Sequence, residues 1–335
     1  MAEGSIATTA PSGAPSGSPS ADRDVFFGFT RPQAAAFLAL VVVVVASPFV
    51  VYPFFLMKLL CFALFACAFN LLIGYVGLLS FGHAAYFGMG AYVSGYASKA
   101  WGVTPEVAIL MGGAVGAALG LPFGWLAIRR TGIYFAMITL ALAQMVYFFC
   151  VQAPFTGGED GIQAIPRGHL FGIVDLNSDF AMYWVVAAVF LGGFLLIHRI
   201  VHSPFGQVLK AIRDNEPRAT SLGYRTDDYK LMAFVLSAGI AGLAGGAKAL
   251  AMRIATLTDV LWTMSGEVVL MSLVGGLGTV FGPVVGAAVI VTMQTYLAEF
   301  GAWVLVIQGV IFIAAVLAFR RGIVGEIGNL LKVKL

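Results

Sequence analysis

Charged residues are scarce in this sequence: Asp, Glu, Lys and Arg make up 10% of its 335 residues, while 60% are hydrophobic. About a quarter of the residues of a soluble globular protein are charged, so the composition excludes that class. The apolar runs can cross a hydrocarbon core about 30 Å thick as helices, and 41 glycines are typical of packed membrane helices. The alternating strands of a β-barrel are absent. The sequence therefore predicts an all-α polytopic membrane protein.

The patterns that would indicate an enzyme are missing as well. No GxxxxGK[ST] phosphate-binding loop occurs, and no Ser and His residues are paired in a way that supports a nucleophile. His198 and His202 stand four residues apart, but no carboxylate accompanies them as a further metal ligand. We therefore predict no catalytic residues, no metal site and no cofactor bound by this chain. The three cysteines fall within apolar runs and indicate packing rather than a disulfide framework: Cys61, Cys67 and Cys150.

About ten membrane segments are predicted, two of them short or broken. They cover residues 34–52, 54–75, 84–100, 106–128, 132–152, 181–200, 230–251, 265–277, 282–299 and 302–319. The membrane domain thus extends over 31–322. The stretch 1–30 is rich in Ala, Ser, Gly and Pro and is predicted to be a disordered tail without a signal peptide; 323–335 is predicted to be a second tail.

Basic residues orient these segments, because loops on the cytoplasmic side carry an excess of Lys and Arg. The loop 201–229 and both tails are then cytoplasmic, which agrees with an even number of segments. The acidic loop 153–180, with Glu159, Asp160, Asp175 and Asp179, is then on the outer face. The basic residues used for this assignment are Arg129, Arg130, Arg199, Lys210, Arg213, Arg218, Arg225, Lys230, Arg320 and Arg321.

Two glycine clusters interrupt apolar segments, at 74–83 and again at 275–283. Non-helical backbone at membrane depth is tolerated where protein or a water-filled cavity satisfies its polar groups, so paired interruptions indicate a substrate path. The alternative is that these glycines permit close packing or tight cytoplasmic turns. The candidate path residues are Gly77, Ser80, His83, Gly275, Gly276 and Gly278. For His83 a hydrogen bond to freed backbone is the favoured role.

Glycines also recur every fourth residue between 106 and 128, at Gly112, Gly116, Gly120 and Gly124, where a single face predicts close helix packing. Ionisable residues in the apolar runs all lie near segment ends, where lysines can reach the interface: Lys58, Lys248, Glu267 and Glu299. A proton-coupled transporter would be expected to carry a carboxylate deeper in the bundle. The position of these four residues near segment ends argues against a proton-coupled transporter.

The one long hydrophilic run inside the apolar sequence is 203–230, SPFGQVLKAIRDNEPRATSLGYRTDDYK. Helical spacing places Phe205, Val208, Leu209 and Ile212 on one side and charged residues on the other, and Pro217 interrupts the pattern. The run predicts a short amphipathic helix at one membrane face, accessible to a soluble partner. A solvated linker is the alternative.

Four runs together resemble the LivM-type permease subunits of branched-chain amino acid ABC importers, and the resemblance covers nearly the whole chain beyond 1–30. They are 70–93 (NLLIGYVGLLSFGHAAYFGMGAYV), 156–167 (TGGEDGIQAIPR), 203–243 and 266–289 (GEVVLMSLVGGLGTVFGPVVGAAV). The resemblance implies an ABC importer permease fold in a bacterial inner membrane. It also implies a second homologous LivH-type permease, two cytoplasmic ATPases that bind ATP-Mg, and a periplasmic amino acid-binding protein, with no nucleic acid.

Residue roles follow from the same resemblance. The run 203–230 matches the ATPase-coupling loop, whose EAA-like pattern is present in degenerate form as Glu216, Ala219 and Gly223; Phe205 and Arg213 lie in the preceding helix. The apolar face of that helix is expected to sit in a groove of the ATPase. Gly157, Gly158, Glu159 and Asp160 are candidates for binding-protein docking.

Three other interpretations of the function stay open from the sequence alone. A urea or short-amide importer permease would look much alike, since selectivity is expected to reside largely in the binding protein. An ATPase-independent secondary transporter or channel, and a membrane-embedded enzyme, are disfavoured by the coupling loop and by the missing catalytic residues.

Overall fold

The computed structural model describes residues 31–172, 174–298, 301, 303–318 and 322–330 of the chain. Its helices are α1 Arg31–Ala46, α2 Pro53–Tyr75, α3 His83–Ala100, α4 Pro105–Ala127, α5 Ile133–Gln152, α6 Asp179–His202, α7 Pro204–Asp214, α8 Glu216–Ser221, α9 Thr226–Met252, α10 Trp262–Gly275, α11 Gly282–Leu297, α12 Trp303–Ala318 and α13 Gly322–Leu330. Four two-residue strands are β1 Ile162–Gln163, β2 His169–Leu170, β3 Val174–Asp175 and β4 Ile254–Ala255. Short 3-10 helices occupy Ser47–Phe49, Pro154–Thr156, Gly158–Asp160 and Leu257–Asp259.

The predicted segments after the first one coincide with helices whose ends lie within four residues of the predicted ends. Among the residues that the structure describes, five helices are long and apolar enough to span a bilayer, namely α2, α4, α5, α6 and α9. The count of ten segments stays a prediction. The predicted tail 1–30 lies outside the described residues, as do Glu299 and 331–335, and α13 occupies much of the stretch predicted as a second tail.

The first predicted segment, 34–52, is not one continuous helix. α1 ends at Ala46, and the chain continues as the 3-10 helix Ser47–Phe49. Pro48 has no backbone N–H to donate to the preceding turn, so an α-helix cannot pass through it without losing a hydrogen bond. The Ser47 hydroxyl instead donates to the Val44 carbonyl at 3.1 Å.

α9 is the central helix of the bundle, and it packs against α2, α3, α4 and α6. The glycine face of α4 lies against it, as the sequence predicted. A Cβ on Gly116 would lie 2.5 Å from the Ala238 carbonyl oxygen, and one on Gly120 would lie 2.6 Å from the Ala238 Cβ. The two backbones therefore approach each other at a distance that only glycine permits.

The connections of the bundle gather at two ends. One end, called the α7 end here, holds α7, α8, the loop 76–82 between α2 and α3 (the first glycine loop) and the loop 276–281 between α10 and α11 (the second glycine loop). The other, called the strand end, holds the four strands. There β1 pairs antiparallel with β4, and β2 pairs antiparallel with β3.

Replacing Gly116 by Ala is expected to destabilise the protein by about 1–3 kcal/mol, because overpacking a tight contact against backbone costs that much. The matched control is Gly192→Ala in α6, whose Cβ would meet nothing within 4 Å. Thermal unfolding in detergent should show a lowered midpoint for Gly116→Ala and an equal or higher midpoint for Gly192→Ala. Equal midpoints would contradict the close α4–α9 contact.

Candidate functional site

α7 begins and ends through local capping. The Ser203 hydroxyl accepts a hydrogen bond from the Gly206 N–H at 3.3 Å, and Pro204 occupies the first turn, where its missing N–H costs nothing. α7 ends at Asp214. The Asn215 side chain then accepts from the Arg218 N–H at 3.0 Å and caps α8, so Pro217 lies in the first turn of a new helix. The predicted interruption is thus a junction of two helices.

The apolar face of α7 points into the protein. Leu209 is 0% exposed and Ile212 3%, and the Phe205 ring stacks on the Tyr229 ring of α9 with 5.6 Å between centroids. The expectation that this face sits in a partner's groove is therefore wrong, because the chain itself covers it. A partner at this end would meet the polar side of α7 and the turn after α8, where Leu222 is 71% exposed.

Arg213 connects α7 to both glycine loops. Its Nη1 donates to the carbonyl oxygen of Gly74, in the last turn of α2. A Cβ on Gly77 would lie 3.0 Å from the Arg213 Cγ, and one on Gly278 would lie 3.5 Å from its Nη1. Its Nη2 also lies 3.2 Å from the Asp214 carboxylate. The Arg213 side chain thus lies against both loops, with its aliphatic part beside Gly77 and its guanidinium group beside Gly278.

The last turns of α2, which lead into the first glycine loop, contact the second glycine loop directly. The Asn70 amide donates to the Thr279 carbonyl at 2.9 Å and accepts from the Gly278 N–H at 3.1 Å. A Cβ on Gly74 would lie 2.7 Å from the Gly278 nitrogen. The φ angles of Gly77 and Gly278, +83° and +74°, lie in the left-handed region that favours glycine. The structure brings together two interruptions that are about 200 residues apart in the chain.

Three other candidate path residues lie near the glycine loops, two of them against the start of α13 and one in the buried core. Gly275 and Gly276 lie against Gly322, where α13 begins. Ser80 is 0% exposed, and its hydroxyl accepts from the Gly82 N–H at 3.2 Å. A cavity of 500 Å³ with an apolar lining lies between the first glycine loop and α5, beside Gly77.

His83 is fully buried at the start of α3. Its Nε2 lies 2.8 Å from the Ser237 hydroxyl, which itself donates to the Ala68 carbonyl, so Nε2 is the donor in the first of these bonds. The partner of His83 is therefore a side chain of α9 and not freed backbone. Three aromatic rings surround it, those of Phe69, Tyr86 and Phe234.

Lys210 lies on the same side of α7 as Arg213. Its ammonium group is 5.6 Å from the centre of the Tyr75 ring, at the last residue of α2. Burial lowers the pKa of Lys210 below its usual value, and the positive charge of Arg213 lowers that pKa further. Two cations thus hold the α2 terminus, where the carbonyl groups carry partial negative charge.

α8 is attached to α9 by an ion pair. The Lys230 ammonium binds the Glu216 carboxylate, with the lysine side chain 3% exposed and the glutamate side chain 35% exposed. Ala219, also in α8, is buried, with 3% of its surface exposed. Gly223 has a φ of +90°, and a Cβ there would meet nothing within 4 Å, so only its backbone conformation requires glycine.

At the strand end, the loop 153–180 is fixed to α6 and α9. Arg167 is 2% exposed; it forms a 2.7 Å ion pair with Asp179 and donates to the Ala251 carbonyl at 2.7 Å. The candidate docking residues lie in the tight turns just before β1. Glu159 and Asp160 are exposed there, whereas the flanking Gly157 and Gly158 set the turns.

A second buried ion pair joins α9 to the loop before α10. The Lys248 ammonium lies 2.6 and 2.8 Å from the two carboxylate oxygens of Asp259, and both residues are buried. The expectation that Lys248 reaches the interface is therefore wrong, because it has a partner within the protein. Glu267 of α10 accepts from the Gln294 side chain of α11 at 2.9 Å.

The three cysteines are buried, and the two histidines considered as a metal pair contact each other at the end of α6. Cys61, Cys67 and Cys150 are buried free thiols, and His202 stacks on His198 with 4.1 Å between ring centres. Among the described residues, no three His, Cys, Asp or Glu side chains lie close enough together to hold a metal ion.

Charge reversal at Glu216 tests the attachment of α8. Glu216→Lys places a second cation beside the buried Lys230 ammonium and should destabilise the protein by about 1–3 kcal/mol. The double variant Glu216→Lys with Lys230→Glu restores opposite charges and should recover part of the lost thermal stability. No recovery in the double variant, measured in detergent, would show that the pair does not hold α8.

The sequence matches a known family of proteins. The profile of the family described as "Branched-chain amino acid transport system / permease component" matches residues 51–316. The high-affinity branched-chain amino acid transport system permease protein LivM of Salmonella typhimurium is 25% identical over 92% of this chain and 78% of its own length. The LivM protein of Escherichia coli strain K12 gives the same figures.

A LivH protein is also similar. The probable branched-chain amino acid transport permease protein LivH of Methanocaldococcus jannaschii is 26% identical over 73% of this chain and 82% of its own length. No solved structure matches the chain. The similar proteins are transport permeases rather than enzymes, and the apolar helices agree with a multi-pass membrane protein. Because the family profile covers most of the sequence, this chain belongs to the branched-chain amino acid transport system permease family.

Proposed function

We propose that this chain is a pore-forming permease subunit of an ATP-binding cassette importer for branched-chain amino acids (Leu, Ile, Val) or related amino acids. Separate ATPase subunits, which bind ATP-Mg, drive it, and a periplasmic binding protein delivers the substrate. The observation that carries the proposal is the junction of α7, through Arg213, with both glycine loops. The names of the LivM relatives favour branched-chain amino acids over urea or short amides.

The membrane arrangement in this proposal has ten segments, α1–α6 and α9–α12. The protein lies in a bacterial inner membrane. The α7 end and both termini face the cytoplasm, and the strand end faces the periplasm. The distribution of basic residues supports this orientation, because Arg129, Arg130, Arg199 and the basic residues of 203–230 all lie in connections or in terminal helix turns at the α7 end.

Energy transmission follows from the contacts at the α7 end. An ATPase that binds the polar side of α7 and the exposed turn after α8 would move α7 as a unit. Arg213 is a planar donor that lies against both glycine loops, so a displacement of α7 changes the position of both. The interruptions of α2–α3 and α10–α11 are the segments where movement would open or close a path.

The substrate and its delivery fit the same arrangement. The apolar cavity beside the first glycine loop is of a size for a branched aliphatic side chain, while the amino acid's charged groups need water or partners in transit. At the opposite end, the exposed carboxylates Glu159 and Asp160 would favour a binding protein with a basic rim. A second, LivH-type permease would complete the translocation unit, as LivM and LivH proteins are both similar to this chain.

The first test is purification from native membranes after gentle crosslinking. We expect two ATPase subunits and a second permease to co-purify, with ATPase crosslinks located on α8 and the turn that follows it. A chain that is recovered alone, and that moves amino acids unaided after reconstitution, would establish a secondary transporter instead.

Replacing Arg213 by Ala is expected to lower the ATPase stimulation by loaded binding protein roughly tenfold, because a hydrogen bond of a charged group contributes about 1.5–3 kcal/mol. Arg213→Lys keeps the charge but not the planar fork, so it should restore coupling only in part. The control is Arg199→Ala, an exposed arginine in the last turn of α6. Equal stimulation in Arg213→Ala and Arg199→Ala reconstituted complexes would refute the transmission role of Arg213.

A further inference from the structure

An apolar groove lies between α4 and α6 at the strand end. Both helices pack against α9, and Leu243 of α9 forms the floor of the groove. Its volume is 720 Å³, and its walls include Ile109 and Leu110 of α4 with Trp184 and Ala188 of α6. The β2–β3 hairpin borders it at the strand end through Leu170. Its volume is typical of a site for one small ligand.

The dimensions of the groove match one leaflet of a bilayer. Its wall on α6 extends from Phe180 to Val189, a length of about 14 Å at 1.5 Å per residue. Half of a hydrocarbon core is about 15 Å thick. A helix of a second protein is about 10–12 Å wide and would have to continue past the hairpin, so the hairpin favours a thin, flexible occupant.

One carboxyl group lies at the strand end of the groove. Glu106 Oε1 accepts a hydrogen bond from the Phe171 N–H of the hairpin at 3.2 Å. Its Oε2 is buried and has no hydrogen-bond partner in the part of the chain that the structure describes. A buried carboxylate oxygen without a partner is costly, and a bound ammonium group would satisfy it. The remaining lining residues have no ionisable side chain.

We propose that this groove binds one acyl chain of a phospholipid with a primary ammonium headgroup, whose ammonium donates to Glu106. The acyl chain lies along Leu110 and Ala188 on the floor of Leu243. Trp184 and Phe171 lie beside the chain near the headgroup, where aromatic residues are enriched in membrane proteins.

Native mass spectrometry of the purified permease, with any subunits that co-purify, tests the headgroup. Phosphatidylethanolamine and phosphatidylglycerol with identical acyl chains are titrated in turn. The native protein should bind phosphatidylethanolamine roughly tenfold more tightly, as a charge-assisted hydrogen bond predicts. Glu106→Gln should remove this preference. Glu159→Gln, an exposed carboxylate at the same end that does not line the groove, should keep it. An unchanged preference in Glu106→Gln would overturn the headgroup assignment.

A second pair of variants tests the acyl chain. Ala188→Trp fills the groove with a side chain and should abolish tight binding of both lipids. Leu196→Trp, on an exposed part of the same helix outside the groove, should leave binding unchanged. Retention of both lipids by Ala188→Trp would overturn the proposal. It would also be overturned if Ala188→Trp released a protein subunit while the bound lipid remained, because the occupant would then be a protein.

Discussion

Close approach of helix backbones is the constraint on which this structure depends. Lipid is as apolar as the helix surfaces, so the hydrophobic effect alone gives little drive for helices to associate within a bilayer; tight packing and buried polar contacts must do so. α9 meets that requirement with glycine and alanine along its length. The glycine face of α4 lies against it at Ala238 and Gly242. The bundle around α9 then provides a rigid frame, against which the two ends of the protein are positioned.

Polar side chains at the two ends connect separate parts of the chain; Asn70, Arg167 and Lys248 are buried, and Arg213 is partly exposed. Arg213 and Asn70 join α7, the end of α2 and the second glycine loop, while Arg167 and Lys248 join the strand-end loops to α9 and α6. Each such group requires a partner because an unpaired polar group in this environment is costly. The contacts therefore specify how the loops lie on the bundle, whereas the glycine and alanine packing specifies the bundle itself.

The sequence predicts the helices of this fold well and their contacts poorly. Long apolar runs that end at Gly, Pro or charged residues give the helix positions, and the four-residue glycine spacing predicts the α4 packing face. The periodicity of α7 shows that it has an apolar side, but not which molecule covers that side; Leu209 and Ile212 are covered by the chain itself. The roles of Asn70 and of the Glu216–Lys230 pair depend on tertiary proximity, so no local pattern indicates them. The one indication in the sequence is the charge of Lys230 next to an apolar run, because a buried lysine needs a partner.

The pairing of β1 with β4 has a consequence for biosynthesis. Ile162 and Gln163 precede α6, whereas their partners Ala255 and Ile254 follow α9. Arg167, in the same loop, binds the carbonyl of Ala251 at the end of α9. When the nascent chain emerges in order, this loop reaches its side of the membrane well before α9 has been inserted. The loop therefore stays incompletely folded and accessible to proteases until α9 is inserted and the partner strand β4, which follows α9, is in place.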